Sequence, residues 1–537
     1  MEYYPCFGEY QCTRLEVPLD WNETTPGTRA AIAIIRIPAQ VHVTDPRYGG
    51  AILTNPGGPG ESGVGHVLTQ GKKFQAIADG RAVESTTLDS SSKSFDWIGF
   101  DPRGVNNTTP LLECFPEGMA RQVWDAQVSA EGFFGSSDQS FNNMWARSQA
   151  LGQACADNGT GIAQHMNTPP VVADMVAIIE AHGSWREQEA KSLLAMDVTT
   201  EQKLTVLERT RWKKGEEQLL YWGFSYGSIL GQTFATLQPG RVSRAVMDGV
   251  ADIGDYYRGD WLKNLQVTDR IVDKFCEYCH LAGPSKCDFF TGSSSEDIKK
   301  RLDNLLATLK ENPVFTSPTD SHSPEIFTCS DFMAEFEESL YNPVLFPDIA
   351  TLLAALADPS TSKSSSIISG YKSSASYRSA ALPTDDGNTI PPRGIRCSDS
   401  PDFTTENKSV SLLHAQTIVG QSKYMGANWV PLRMDCVGWA SRPKWGFDYT
   451  TAGGKTKEPM LFVGNTLDPV TPVLNARNMA AMWEGSGVAE LNGEGHCTYA
   501  ANSTCMNGVI GRYFQTGELP APGTVCKVDR RPFEELK

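Results

Sequence analysis

The sequence predicts an α/β protein: a mostly parallel central sheet flanked by helices, with a large, mainly helical cap inserted late in the chain. Three observations predict it. Short apolar runs of strand length end in turns dense in Gly and Pro. One such run is followed at once by a helix and another strand, an order that forces parallel pairing through a right-handed crossover. The strand–helix rhythm then stops near residue 251 and returns near 460.

In order along the chain, runs 15–17, 30–37 and 51–54 have strand character, and the third ends in Asn55-Pro56-Gly57-Gly58-Pro59-Gly60-Glu61-Ser62-Gly63. Glycines and prolines at that density close a strand with a tight, rigid turn. Run 95–100 meets Asp101-Pro102-Arg103-Gly104 in the same way. Residues 105–168 read as a helical or loop excursion. Thr168-Pro169-Pro170 marks a helix start that leads into 171–182. The charged segment 185–217 reads as a surface insertion. Run 219–224 is an aromatic-rich buried strand, 226–237 a helix closed by Pro239-Gly240, and 244–247 a strand. From 251 to 455 only amphipathic patterns near 296–310 and 331–357 and a Ser-rich tract at 360–379 stand out, which suits a helical cap with polar connections. Strands return at 460–463 and 488–491 around a helix at 474–482. The chain therefore divides into a first core part (1–250), a cap (251–455) and a second core part (456–537).

Composition bounds the function. The chain has 537 residues, 40% hydrophobic and 20% charged, as globular proteins do, and its net charge is −16. That sign disfavours phosphate backbones, so no nucleic-acid partner is expected. No run reaches the roughly 18–20 apolar residues of a membrane-spanning helix.

The sharpest chemical signal is Gly223-Phe224-Ser225-Tyr226-Gly227, set between a strand and a helix. Such an elbow holds a serine in a strained turn and aims the helix N-terminus at the same spot. Serine needs a base, itself oriented by a carboxylate. Asp468 follows strand 460–463 in Gly464-Asn465-Thr466-Leu467-Asp468-Pro469-Val470, and His496 follows strand 488–491 in Gly493-Glu494-Gly495-His496. The order Ser, Asp, His, each after a strand, is that of the α/β-hydrolase fold. Ser225, His496 and Asp468 are thus expected as nucleophile, base and orienting acid, with backbone N–H groups of Gly58 and Tyr226 as the oxyanion hole. This chemistry calls for no cofactor.

PGGPG followed by Ser-Gly, DPRG, GFSYG, NTLDPVTP and GEGHCTYA resemble the proline iminopeptidase and tripeptidyl aminopeptidase branch of the α/β-hydrolases. Cys436-x-x-Trp439 and Leu519-Pro520-Ala521-Pro522-Gly523-Thr524 are similar to the C-terminal region of tripeptidyl aminopeptidases in particular. The resemblance implies removal of short peptides or residues from a free N-terminus, in a fungal-type secreted enzyme, beneath a cap that restricts entry. One departure is Pro56, where proline iminopeptidases carry His, so strict proline specificity is not implied. In such exopeptidases carboxylates near the cap hold the substrate ammonium; Glu61, Asp248, Asp252, Glu335 and Glu338 are the candidates. Two alternatives stay open: an esterase or acyltransferase acting on a small acyl substrate, and a catalytically silent binding protein on a hydrolase scaffold.

Thirteen cysteines and sequons at Asn22, Asn106, Asn107, Asn158, Asn407 and Asn502 point to a secreted or secretory-pathway protein whose leader has been removed. Close sequence partners suggest Cys6–Cys12, Cys114–Cys155, Cys397–Cys436 and Cys505–Cys526. Cys276-x-x-Cys279-His280, with Cys287 and Cys329, could be read as zinc ligands, but the loose spacing favours disulfides and no metal is expected. The odd count leaves at least one thiol, and Cys497 beside the histidine is notable.

Overall fold

The computed structural model describes residues 1–23, 27–81, 91–158, 161–194, 200–316, 324–378 and 390–534. Its strands are β1 (Tyr4–Cys6), β2 (Tyr10–Pro18), β3 (Arg29–Ile37), β4 (Tyr48–Asn55), β5 (Ser94–Phe100), β6 (Leu219–Phe224), β7 (Val242–Asp248), β8 (Val314–Thr316), β9 (Glu325–Phe327), β10 (Leu461–Leu467), β11 (Gly487–Glu494) and β12 (Thr524–Lys527). Ten form one sheet in the order β1-β2-β3-β5-β4-β6-β7-β10-β11-β12. The β1–β2, β2–β3 and β3–β5 pairs are antiparallel. Every pair from β5 to β12 is parallel. This is the α/β-hydrolase sheet, with β8 and β9 forming a separate hairpin.

Side chains alternate between two buried faces. Leu53, Tyr221, Met247 and Phe462 pack beneath helices Thr168–Leu193, Tyr226–Leu237 and Val473–Ala480. Ile52, Trp222, Val246 and Val463 pack beneath Gly63–Ala78 and Thr504–Thr516. Burial on both faces is why β6 reads as an unbroken apolar run rather than as an alternation.

Several elements exceed their sequence signal. Run 15–17 is the end of the nine-residue β2, whose earlier part is only half-buried and mixes polar with apolar residues. The helix expected at 171–182 runs Thr168–Leu193, with prolines in its first turn and Ala190 still buried, and takes in the start of the segment read as a surface insertion. Residues 195–199 of that segment, and Ser379 of the Ser-rich tract, lie outside the described residues. The four-residue β12 has only one fully buried residue and went unanticipated.

Residues 251–455 divide between two cores. Leu265, Phe275, Phe332, Phe336 and Leu353 build one of their own. Tyr256, Tyr257, Trp261, Ile395, Met434 and Trp439 instead pack into the core beneath the sheet. The four suggested cysteine pairs are bonded, and so is Cys279–Cys287. Cys276, Cys329 and Cys497 carry free thiols. Among the described residues no group of His, Cys, Asp and Glu is arranged to hold a metal, and no helix is long and apolar enough to cross a membrane.

Candidate active site

β6 ends at Phe224 and the next helix begins at Tyr226, so the chain must reverse at Ser225. It does so with φ 53° and ψ −121°, a conformation that costs a non-glycine residue about 1–3 kcal/mol. Ser225 N donates to Asp248 O at 2.9 Å, and the N–H and hydroxyl of Ser228 donate to Ser225 O. The flanking glycines are required by contact: a Cβ at Gly223 would lie 2.4 Å from Gly227 O, and one at Gly227 would lie 2.5 Å from Asn55 O.

Asp468 is fully buried just beyond β10. Its Oδ1 accepts from Val470 N at 3.0 Å and Thr471 N at 2.8 Å, and its Oδ2 accepts from Cys497 N at 2.8 Å. Thus fixed, the carboxylate lies 3.0 and 3.1 Å from His496 Nδ1. Nδ1 donates there, leaving Nε2 as the basic nitrogen. Burial pushes the imidazole pKa down, while the charge and hydrogen bond of Asp468 push it up and win, so it stands above the ordinary histidine value.

The histidine loop is held at every residue. Asn465 Nδ2 donates to Gly495 O at 2.8 Å and Cys497 O at 2.7 Å. His496 N donates to Tyr341 O at 2.8 Å, and the Tyr341 ring stands edge-on to the imidazole with centroids 5.0 Å apart. Thr498 donates its N–H and hydroxyl to Asp248.

On the other side, Gly57 and Gly58 have φ of 113° and 98°, open only to glycine without strain. A Cβ on Gly57 would come within 2.8 Å of Ser225 Cβ. Gly58 lines the cavity that holds Ser225 and His496. The N–H of Tyr226, at the first helical position, has no intrahelical acceptor. The turn is braced from below: Asp101 accepts from Ser62 Oγ at 2.7 Å and Val64 N at 3.0 Å, and from both the backbone and side-chain amides of Asn107. Arg103 of the same motif is buried in a two-pronged pair with Asp174.

Residues 422–526, which include Asp468 and His496, match the family described as TAP-like protein. Serine protease Hip1 of Mycobacterium tuberculosis is 23% identical over 526 residues, covering 97% of this chain and 88% of that one. Tripeptidyl aminopeptidase of Streptomyces lividans is 21% identical over 529 residues, 97% of this chain and 84% of that one. Carboxylesterase B of M. tuberculosis is 41% identical over 104 residues, 19% of this chain and 16% of that one. The chain has the α/β-hydrolase fold with a TAP-like C-terminal region.

The hydrolase's cavity has a volume of about 490 Å³, and Ser225, Gly58 and His496 share its wall with Tyr256, Trp261 and Trp429. Of the acids expected to meet substrate, Glu61 and Glu338 line it. Asp248 does not: it is fully buried behind Thr498, its oxygens taken by that residue and by Trp222 Nε1. Burial pushes Asp248 up to about 6, and its function is to hold the histidine loop. Asp252 caps the helix Ile253–Arg258, accepting from Asp255 N at 2.9 Å. Glu335 is buried and opens onto a different cavity with Arg147 and Arg393.

Sequence reasoning missed Asn465, Thr498 and Tyr341. The first two lie inside NTLDPVTP and GEGHCTYA, so motif membership was their only signal; Tyr341 had none, because its contact comes from the helix Cys329–Tyr341, remote in sequence. Missed as well was Glu337, which accepts from Asn428 Nδ2 at 2.7 Å and is pushed up to about 7 by burial. One sequon is corrected: the Asn106 amide nitrogen is buried, while that of Asn107 donates to Asp101 at 2.9 Å. Asn107 is half-buried, whereas Asn22, Asn158, Asn407 and Asn502 are exposed.

Proposed function

We propose that the hydrolase is a serine peptidase that removes short N-terminal fragments from peptides through an acyl-enzyme. Ser225 Oγ attacks the scissile carbonyl carbon while His496 Nε2 takes its proton, and Asp468 stabilises the resulting imidazolium. The N–H groups of Gly58 and Tyr226 meet the oxyanion. His496 returns the proton to the leaving amine; water then attacks the ester and His496 again carries the proton, restoring Ser225. The observation that carries this reading is that the helix Cys329–Tyr341 brings Glu338 and Tyr341 into the same cavity as Ser225 and His496. A carboxylate thus stands within the chamber that would receive a substrate ammonium group. The relatedness to a tripeptidyl aminopeptidase supports it.

The test is hydrolysis of matched peptides with free and acetylated N-termini. The free amine is expected to be favoured at least tenfold in kcat/KM, and equal rates would overturn the aminopeptidase reading. A second reading, esterase action on a small acyl group, is favoured by the aromatic wall of Tyr256, Trp261 and Trp429 and by the local likeness to a carboxylesterase. It predicts that acyl esters lacking any amine outrun the peptides.

A further inference from the structure

The cavity straddles the carboxyl edge of the sheet. On one side Ile229, Tyr256 and Trp261 belong to the core beneath Tyr226–Leu237. On the other, the lining continues as Gln70, Lys73 and Tyr499, against the opposite face. Tyr499 closes that arm by packing on the rings of Phe74 and Phe224, with centroids 5.7 and 5.3 Å away. Gln70 and Lys73 stand one turn apart on helix Gly63–Ala78, on the same face.

Lys73 is half-buried, and among the described residues no carboxylate forms an ion pair with it, whereas the adjacent Lys72 is paired with Glu9. Burial pulls its ammonium below the usual lysine range, and the charge of Asp248 opposes that pull. A desolvated cation without a partner is costly unless something arriving in the cavity neutralises it. The lining thus combines apolar rings, the carboxylates of Glu61 and Glu338 and, on helix Gly63–Ala78, an amide and a cation with no ion-pair partner among the described residues.

We propose that Lys73, with Gln70, binds the C-terminal carboxylate of the leaving fragment, so that the substrates are short peptides with a free C-terminus. This rests on the peptidase reading. Ten residues of helix separate Gly63, beside the oxyanion turn, from Lys73, a rise of about 15 Å. At about 3.3 Å per extended residue, that distance suits leaving fragments of roughly four to five residues.

The experiment compares kcat/KM on peptide pairs that differ only in a C-terminal carboxylate or carboxamide. The wild type is expected to favour the acid at least tenfold, through KM. In Lys73→Met the acid-to-amide ratio falls to about one, and Lys73→Arg restores it. A small fluorophosphonate that labels Ser225 checks that each variant is folded; should Lys73→Met fail to take label, Lys73→Gln supplies the ratio. A wild-type ratio near one, or a ratio that survives loss of the lysine, overturns the proposal. If acetylating the N-terminus has no effect yet the ratio still collapses in the variant, the carboxylate subsite stands and the aminopeptidase reading falls.

Discussion

Asn465 touches neither the nucleophile nor the base, yet its removal should disable the hydrolase. It is fully buried, and its Nδ2 supplies hydrogen bonds of 2.8 and 2.7 Å to the carbonyls on either side of His496. In Asn465→Ala both buried carbonyls lose their donor, at about 1–3 kcal/mol each. The remaining ties to Tyr341, Asp468 and Asp248 keep the loop near its place, so water entry should limit the total to roughly 2–4 kcal/mol. Asn465→Asp keeps the shape but sets oxygen against two carbonyl oxygens, which separates the hydrogen bonds from packing. Displacing a catalytic group by about 1 Å costs on the order of 100-fold, so both variants should acylate about 10- to 100-fold more slowly. The assay is the rate of fluorophosphonate labelling of Ser225, paired with urea unfolding. Wild-type labelling and wild-type stability in Asn465→Asp would refute the reasoning.

Three further outcomes follow from the same geometry. The base must be neutral, and Asp468 holds the His496 pKa above the ordinary histidine value; the acid limb of the kcat/KM profile should therefore lie above that value, and in Asp468→Asn it should move down as the rate drops about 10⁴-fold. The sign for stability is the reverse, since the fold favours the protonated ring: this contribution is present below the unfolded histidine pKa and is lost as pH rises through the folded one. Intact-mass measurement after alkylation in denaturant should find three thiols, Cys276, Cys329 and Cys497; without denaturant the buried Cys276 and Cys497 should be protected, and rapid labelling of Cys497 would contradict its place behind His496. Produced through a secretory pathway, the protein should carry glycans only among Asn22, Asn158, Asn407 and Asn502, as read by glycopeptide mapping; occupancy at Asn107 would break its bond to Asp101.

Apart from β12, the parallel part of the sheet was legible because its strands are largely buried on both faces and therefore mostly apolar, with turns marked by Gly and Pro. Ser225, Asp468 and His496 were legible because each follows such a strand. The acids were not. Asp248 looks like a strand-end carboxylate open to substrate, but Thr498, 250 positions later in the chain, folds back over it; only tertiary packing decides that. Glu335 and Glu338 lie on one helix three residues apart, yet one turns to a different cavity and the other to Ser225. Lys73 was silent for the same reason: a lysine in an amphipathic helix reads as solvated until the facing Tyr499 loop is in place. β1 and β12 were missed because short edge strands carry little apolar patterning.

The central claim is that Ser225 is the nucleophile of an assembled Ser-His-Asp site. Treatment with a fluorophosphonate followed by mass mapping tests it most directly. A single adduct on Ser225, absent from Ser225→Ala and strongly slowed in His496→Ala, is the predicted result. A folded wild-type protein that takes no label, or takes it on another serine, would contradict the account.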